Sequence, residues 1–273
     1  MSEFREKYIV TPRYLRKPSK RRSGRLITPG VHFIVAHDTG NRGSTAINNV
    51  EYYETTHNKE KASAHIFVDD REIIECIPAL TGSPEKAWHV WYSRPMDNQM
   101  FGYDANDVAI GVEYCYGSRI DPVEAYRKYI WTIAFICFRF GLDPAKSVAG
   151  HFMLDPQRKK DPVTGLADSR RTYEQLLRDI VLEFNECTGQ GTSMDSVEVP
   201  PEEGKLITIA RLNIRKGEPN TRAHIIQTVP ANTELSYTGL TDTGEAINGN
   251  PLWYRNANGD FFWSGGVREK PEG

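Results

Sequence analysis

Apolar positions along the first two thirds of the chain follow two alternating rhythms. VHFIVAH (Val31–His37) is a short β-branched run, and AHIFV (Ala64–Val68) and EIIECI (Glu72–Ile77) follow it, split by Asp69-Asp70-Arg71 as a tight turn. VAIGVEYCY (Val108–Tyr116) reads as a further strand. Ser44 to Thr56 carries a helical pattern with Ser44 as its N-cap. Val123, Tyr126, Ile130, Ile133, Cys137 and Phe140 recur at helical spacing and predict a long amphipathic helix ended by Gly141. Ser169 to Glu186 reads as a last helix. Strands alternating with helices predict an α/β class, with a mixed central β-sheet flanked by helices.

From Thr188 to Gly204 the chain reads TGQGTSMDSVEVPPEEG, rich in Gly, Ser, Pro and acid and without aromatics, which predicts an exposed linker and a domain boundary. The first domain is then 27–187 and the second 205–273. Leu206 to Val267 offers short β-prone pieces (LITIA, HIIQTV, ELSYTGL, LWYRN, DFFWS), with Asn258-Gly259 as a hairpin signal between the last two. Five or six such strands predict a small all-β barrel.

Composition narrows the classes. Of 273 residues, 39% are hydrophobic and 26% charged, which are globular values. A formal charge of -2 gives no global attraction to nucleic acid. No apolar run reaches the roughly 18–20 residues of a membrane span. Basic residues concentrate locally in PRYLRKPSKRRSGR (Pro12–Arg25), within an N-terminal arm of residues 1–26. Such a run is expected to be a solvated arm packed loosely on the surface; its functional alternative is attraction to an anionic polymer. Cys76, Cys115, Cys137 and Cys187 lie far apart in apolar or amphipathic stretches, which predicts free thiols rather than a disulfide scaffold. Met1–Val10 lacks an apolar core of signal-peptide length, so synthesis in the cytoplasm without Sec export is expected.

Three polar residues end or follow apolar runs: His37 in IVAHDTGN, His151 in SVAGHFML and Asp161 in RKKDPVTG. One histidine at a strand end is ordinarily structural. Two with a carboxylate make a zinc-ligand set that leaves a fourth position for water. In VAIGVEY, side-chain alternation puts Val108, Ile110, Val112 and Tyr114 on one face and Ala109, Gly111 and Glu113 on the other. A carboxylate beside two near-absent side chains predicts a cleft floor, and a buried carboxylate there needs a partner. Lys159, two residues before Asp161, can reach the same cleft.

Taken together and in order, these segments resemble the type-2 N-acetylmuramoyl-L-alanine amidases, a family that includes phage endolysins and peptidoglycan recognition proteins. The resemblance rests on His37-Asp38-Thr39, Ser63-Ala64-His65, Ala87-Trp88-His89, Asn106 with Ile110-Gly111-Val112-Glu113, and Gly150-His151 followed by Lys159-Lys160-Asp161-Pro162, and it covers roughly Ile27 to Glu186. It implies Zn2+ held by His37, His151 and Asp161, with Glu113 and Lys159 as catalytic groups and His65, His89, Trp88 and Asn106 as substrate-contact candidates. The implied substrate is peptidoglycan, cut at the amide joining N-acetylmuramic acid to L-alanine. Two departures stand out. Ala64 occupies a position where many relatives carry tyrosine, which leaves Glu113 as the acid/base, and Pro162 is followed by Val163-Thr164 before Gly165 instead of directly by glycine.

The tail resembles the bacterial SH3-like domains of lytic and wall-binding proteins, through Leu212-Asn213-Ile214-Arg215-Lys216-Gly217-Glu218-Pro219, Leu252-Trp253-Tyr254-Arg255 and Phe261-Phe262-Trp263-Ser264-Gly265-Gly266. Trp253 and Trp263 are expected in its core. A complete ligand set disfavours the alternative of a non-catalytic peptidoglycan-binding protein, and the aromatic tail disfavours a cytosolic amidase acting on soluble fragments. Action on the wall after lysis, release through a pore or injection by a phage-like apparatus would fit these expectations.

Overall fold

The computed structural model describes residues 3–189, 204–241, 244–247 and 250–269, and the chain divides into two compact units, residues 1–193 and 194–273. In the first unit, β1 (Val10–Pro12), β2 (Phe33–Asp38), β3 (Ile66–Val68), β4 (Ile73–Glu75), β5 (Ala109–Tyr114) and β6 (Val148–Gly150) form one sheet in the order β1-β4-β3-β5-β2-β6. Strands β3, β5, β2 and β6 run parallel; β4 turns back antiparallel to β3, and β1 runs parallel to β4. The sheet is therefore mixed, as the pattern predicts. Around it lie α1 (Ala46–Thr55), α2 (Pro95–Phe101), α3 (Ala105–Val108), α4 (Pro122–Phe140), α5 (His151–Leu154), α6 (Val163–Asp168) and α7 (Tyr173–Thr188).

Alternation along the strands sorts two faces. Ile34, Ala36, Ile110, Val112 and Tyr114 enter the main core with Tyr129, Ile133 and Ile136 of α4 and Leu176 and Ile180 of α7. Phe33, Val35, Ala109 and Ala149 on the other face meet only a small cluster of Val90, Ala105, Val108 and Leu154. This thinner face leaves room for polar side chains at the carboxyl ends of β2, β5 and β6, where open α/β sheets place their ligands.

Several boundaries move from their sequence-based positions. α1 is capped by Thr45 and not Ser44, because Thr45 and Asn48 exchange side-chain and backbone hydrogen bonds in a capping box. The last helix starts later than Ser169: that residue caps the end of α6, and Thr172 starts α7 in a second box with Gln175. In α4, Val123 is 53% exposed, while Trp131 is buried under Phe4 and Tyr8, ring centroids 6.2 and 5.4 Å away. N-terminal residues thus cover a flank of α4 that its periodicity assigns to solvent.

The basic segment corrects its expectation most. It is not a loosely packed arm: β1 joins the sheet edge, Leu15 is buried, and Arg21 and Arg22 are 1% and 6% exposed. Arg22 grips the buried Glu85 through Nε at 2.7 Å and Nη2 at 2.8 Å, and donates Nη1 to the Leu15 carbonyl. Arg21 bonds Thr56, the Ala62 carbonyl and Glu60. Two arginines of a charge run are buried because distant acceptors satisfy them.

In the second unit, β7 (Gly204–Thr208), β8 (Leu212–Arg215), β9 (Ile225–Val229), β10 (Glu234–Tyr237), β11 (Gly239–Thr241), β12 (Trp253–Arg255), β13 (Phe261–Trp263) and β14 (Val267–Glu269) form two antiparallel sheets, β10-β7-β14 and β11-β12-β13-β8-β9. Leu206, Leu212, Ile214, Val229 and Phe262 make its core, and Trp253 is 1% exposed with Nε1 donating to the Glu245 carbonyl. Gly259, at φ +80°, makes the β12–β13 turn where Asn258-Gly259 predicts it. Residues 190–203 of the expected linker lie outside the described residues. All four cysteines are free and buried. Among the described residues no helix is long and apolar enough to cross a membrane.

Candidate metal centre

His37 is the penultimate residue of β2, and register fixes its neighbours. In the parallel ladder His37 stands directly opposite Glu113, with Val35 opposite Gly111 and Ala36 opposite Gly150 on the other side. His37 and Glu113 therefore project from the same face, and His151 follows β6 at the same end. The segment after α5 returns to the site because Phe152 N–H donates to the Asp161 carbonyl at 3.0 Å.

There the side chains converge. Asp161 Oδ2 lies 2.9 Å from Nδ1 of His37 and 2.9 Å from Nδ1 of His151. One ligand atom from each of the three residues falls within 4.8 Å of the others. Both imidazoles are 2% exposed. Burial lowers the His37 pKa to about 4 against the opposing pull of Asp161, so the ring is neutral at pH 7. Burial alone would raise the Asp161 carboxyl, but hydrogen bonds to His151 and His37 hold it well below the usual carboxylate range. Neutral imidazole and ionised carboxylate are the forms that ligate a divalent ion.

Orphaned buried atoms mark the same place. Glu113 Oε2, His151 Nε2 and His89 Nε2 have no hydrogen-bond partner, whereas buried polar atoms are ordinarily paired. Burial, followed by repulsion from Asp161 and Asp38, pushes the Glu113 carboxyl well above its ordinary value, with Lys159 acting in the opposite direction. Lys159 is half-buried, with its N–H bonded to the Asp155 carbonyl at 2.9 Å. The donor set, the neutral His37 ring, the ionised Asp161 carboxylate and the unpaired atoms around them fit a bound metal ion.

The other sequence candidates separate by position. His65 is fully buried and both ring nitrogens are engaged: Nδ1 accepts from Gly111 N–H and Nε2 donates to the Glu85 carbonyl, each at 2.9 Å. It ties β5 to the segment that carries Glu85 and has no free atom for a ligand. Asn106 is buried too; its Oδ1 accepts from the N–H groups of His89 and Val90 at 2.9 and 3.1 Å. Trp88 is half-buried, with Lys61 Nζ 4.0 Å from its ring centre, and lines a 470 Å3 groove with Ser19, Lys20, Arg25 and Lys61. His89 reaches the centre itself, its Nδ1 3.1 Å from His37 Nε2.

Two residues have roles that the sequence reading does not assign. Asp155 is 1% exposed, binds Arg158 Nε at 2.7 Å and shapes the loop that carries Lys159; the Asp155-Pro156 pair is a turn signal that points to it. Asp38 accepts from Gly40 N–H and Gly165 N–H, at 3.0 and 2.8 Å. The close approach there accounts for the displaced glycine after Pro162, since a Cβ at Gly165 would stand 2.8 Å from Asp38 Cβ. Helix α6 starts at Val163, and Gly165 in its first turn is the residue that closes on Asp38.

Residues 28–164 match the family model described as N-acetylmuramoyl-L-alanine amidase (Amidase_2), and the chain belongs to that family. It is 32% identical over 183 residues to N-acetylmuramoyl-L-alanine amidase BlyA of Bacillus subtilis (strain 168), a match that takes in 63% of this chain but only 45% of that relative. Among solved structures, that of Staphylococcus aureus hydrolase AmiA in complex with its ligand is similar at a TM-score of 0.53 and 22% identity, over 67% of this chain and 86% of the other. That likeness concerns the fold.

Proposed function

We propose that the chain is a zinc-dependent N-acetylmuramoyl-L-alanine amidase that hydrolyses the amide between N-acetylmuramic acid and L-alanine in peptidoglycan. The observation that carries this reading is the convergence of His37, His151 and Asp161 beside Glu113 on the next strand in register. When bound, zinc lowers the pKa of water and polarises a carbonyl. Glu113, enclosed and with an unpaired oxygen, takes the proton of the attacking water and hands it to the leaving amine, a role worth about 10²–10⁴ in rate. Burial and the neighbouring carboxylates raise its pKa, the direction that makes a carboxylate a stronger proton acceptor. Lys159 acts electrostatically on His37, Asp38 and Glu113. Half-buried where its neighbour Lys160 is exposed, it is the cation placed to oppose a developing oxyanion, a contribution on the order of 3 kcal/mol.

The second unit is read as an SH3-like wall-binding module. Its short antiparallel strands, buried Trp253 and Asn258-Gly259 hairpin support that reading. It would hold the amidase unit on an insoluble polymer and raise its local concentration.

Digestion of purified sacculi, with and without a chelator, tests the activity. Mass spectrometry is expected to find free peptides that begin with L-alanine, and none in chelator. Intact stems on shortened glycans, or binding without release, would contradict it.

A further inference from the structure

We infer that His89 is a positioning residue for the metal centre: it fixes the ring of His37 from behind, and Gly111 is the position that admits it. The inference rests on the ion-binding reading above.

His89 is buried, its Nδ1 lies 3.1 Å from His37 Nε2, and the Ala109 backbone also acts on its ring. A buried imidazole is a poor core filler, since an apolar ring would occupy the space without polar atoms to satisfy. The surroundings are nevertheless built to hold it. Asn106 clamps the backbone on both sides by accepting from His89 N–H and Val90 N–H. Ser63 Oγ accepts from Trp88 N–H at 3.1 Å. Beneath the ring, a Cβ at Gly111 would stand 2.8 Å from His89 Cγ and 2.9 Å from Nδ1, closer than such atoms approach. The small residue that sequence alternation assigns to a cleft floor is thus the seat of His89.

The consequence concerns His37. Its Nδ1 faces Asp161, so a lone pair directed at an ion there requires the proton on Nε2, the nitrogen that faces His89. His89 Nδ1 then accepts it. When the His37 proton instead sits on Nδ1, the His89 ring can donate. An imidazole serves both states, and outer partners of this kind orient metal-bound histidines.

The test uses the full chain, stripped with chelator and titrated with Zn2+ against a chromophoric chelator, with Co2+ absorption as a second readout of ligand geometry. Replacing His89→Leu is expected to weaken Zn2+ binding by about 10–100-fold. His89→Asn, whose amide stands near the Nδ1 position and can accept or donate, is expected to bind closer to the unaltered chain than to the leucine variant. Circular dichroism in chelator checks folding. Should the leucine variant not fold, His89→Asn against His89→Gln decides, since glutamine extends its amide towards the Nε2 position; the asparagine variant must bind more tightly. Equal affinity of the leucine variant and the unaltered chain, or of the asparagine and glutamine variants, overturns the inference alone. Failure of the unaltered chain to bind Zn2+ overturns both this inference and the ion-dependent reading.

Discussion

Replacing Glu113→Gln should lower activity and raise stability at once. The glutamine has the same shape, so packing beside His37 is kept, but the group can no longer take a proton from water. A loss of about 10²–10⁴ in turnover is expected. Stability runs the other way. Glu113 Oε2 is buried without a partner, and burial together with Asp161 and Asp38 disfavours the charged form. A carboxyl whose folded pKa is raised contributes stability below its unfolded value, 4.5, and loses it as pH rises. The neutral amide avoids that loss. Removal of the buried, unpaired charge is worth about 1–3 kcal/mol, and each kcal/mol moves the melting temperature of a domain of this size by about 2–4 °C. The assay pairs release of L-alanine-terminated peptides with thermal melts in chelator at pH 7 and pH 4. The variant should melt higher at pH 7, with its advantage shrinking at pH 4. Full activity, or a lower melting temperature at pH 7, would refute the reasoning.

Further outcomes follow from other parts of the first unit. Glu85→Ala strands the buried Arg22 guanidinium and should cost about 3–5 kcal/mol in urea unfolding, whereas Lys20→Ala and Arg25→Ala, on exposed residues of the same segment, should stay within about 0.5 kcal/mol. Equal effects would remove the ion pair from the account. His37 and His65 are lowered from 6.5 to about 4, so they favour the fold above pH 6.5 and that stability is lost as pH falls towards 4. Each contributes up to about 3 kcal/mol to the stability lost between pH 7 and pH 4, read from melts in chelator. A flat profile would contradict the burial of neutral imidazoles. His37→Ala should abolish both zinc content, measured by elemental analysis, and peptide release; retention of stoichiometric zinc would move the site elsewhere.

Much of the sheet and of the centre could be read from residue patterns, because both obey local periodicities. Alternation in VAIGVEY puts Glu113 on the face of Gly111, and the ladder then sets it beside His37. What stayed hidden depends on partners far away in sequence. Nothing in the basic run says that Arg21 and Arg22 are buried while Lys20 and Arg25 are exposed; Thr56, Glu60 and Glu85 decide it. Likewise Gly111 predicts space, but its filler, His89, comes from a loop 22 positions earlier. In α4, Val123 fits the helical period yet is exposed, because the N-terminal residues and α7 redistribute which flanks are covered. His65 and Asn106 lie in the motifs of the family, but their polar atoms are spent on the backbone that holds the site.

X-ray absorption at the zinc edge on the loaded full chain tests the central claim most directly. One ion per chain with nitrogen and oxygen donors at about 2.0–2.2 Å, two of them imidazoles, and loss of that signal in Asp161→Ala, is the predicted result. Sulfur ligation, or a spectrum unchanged by Asp161→Ala, would contradict it.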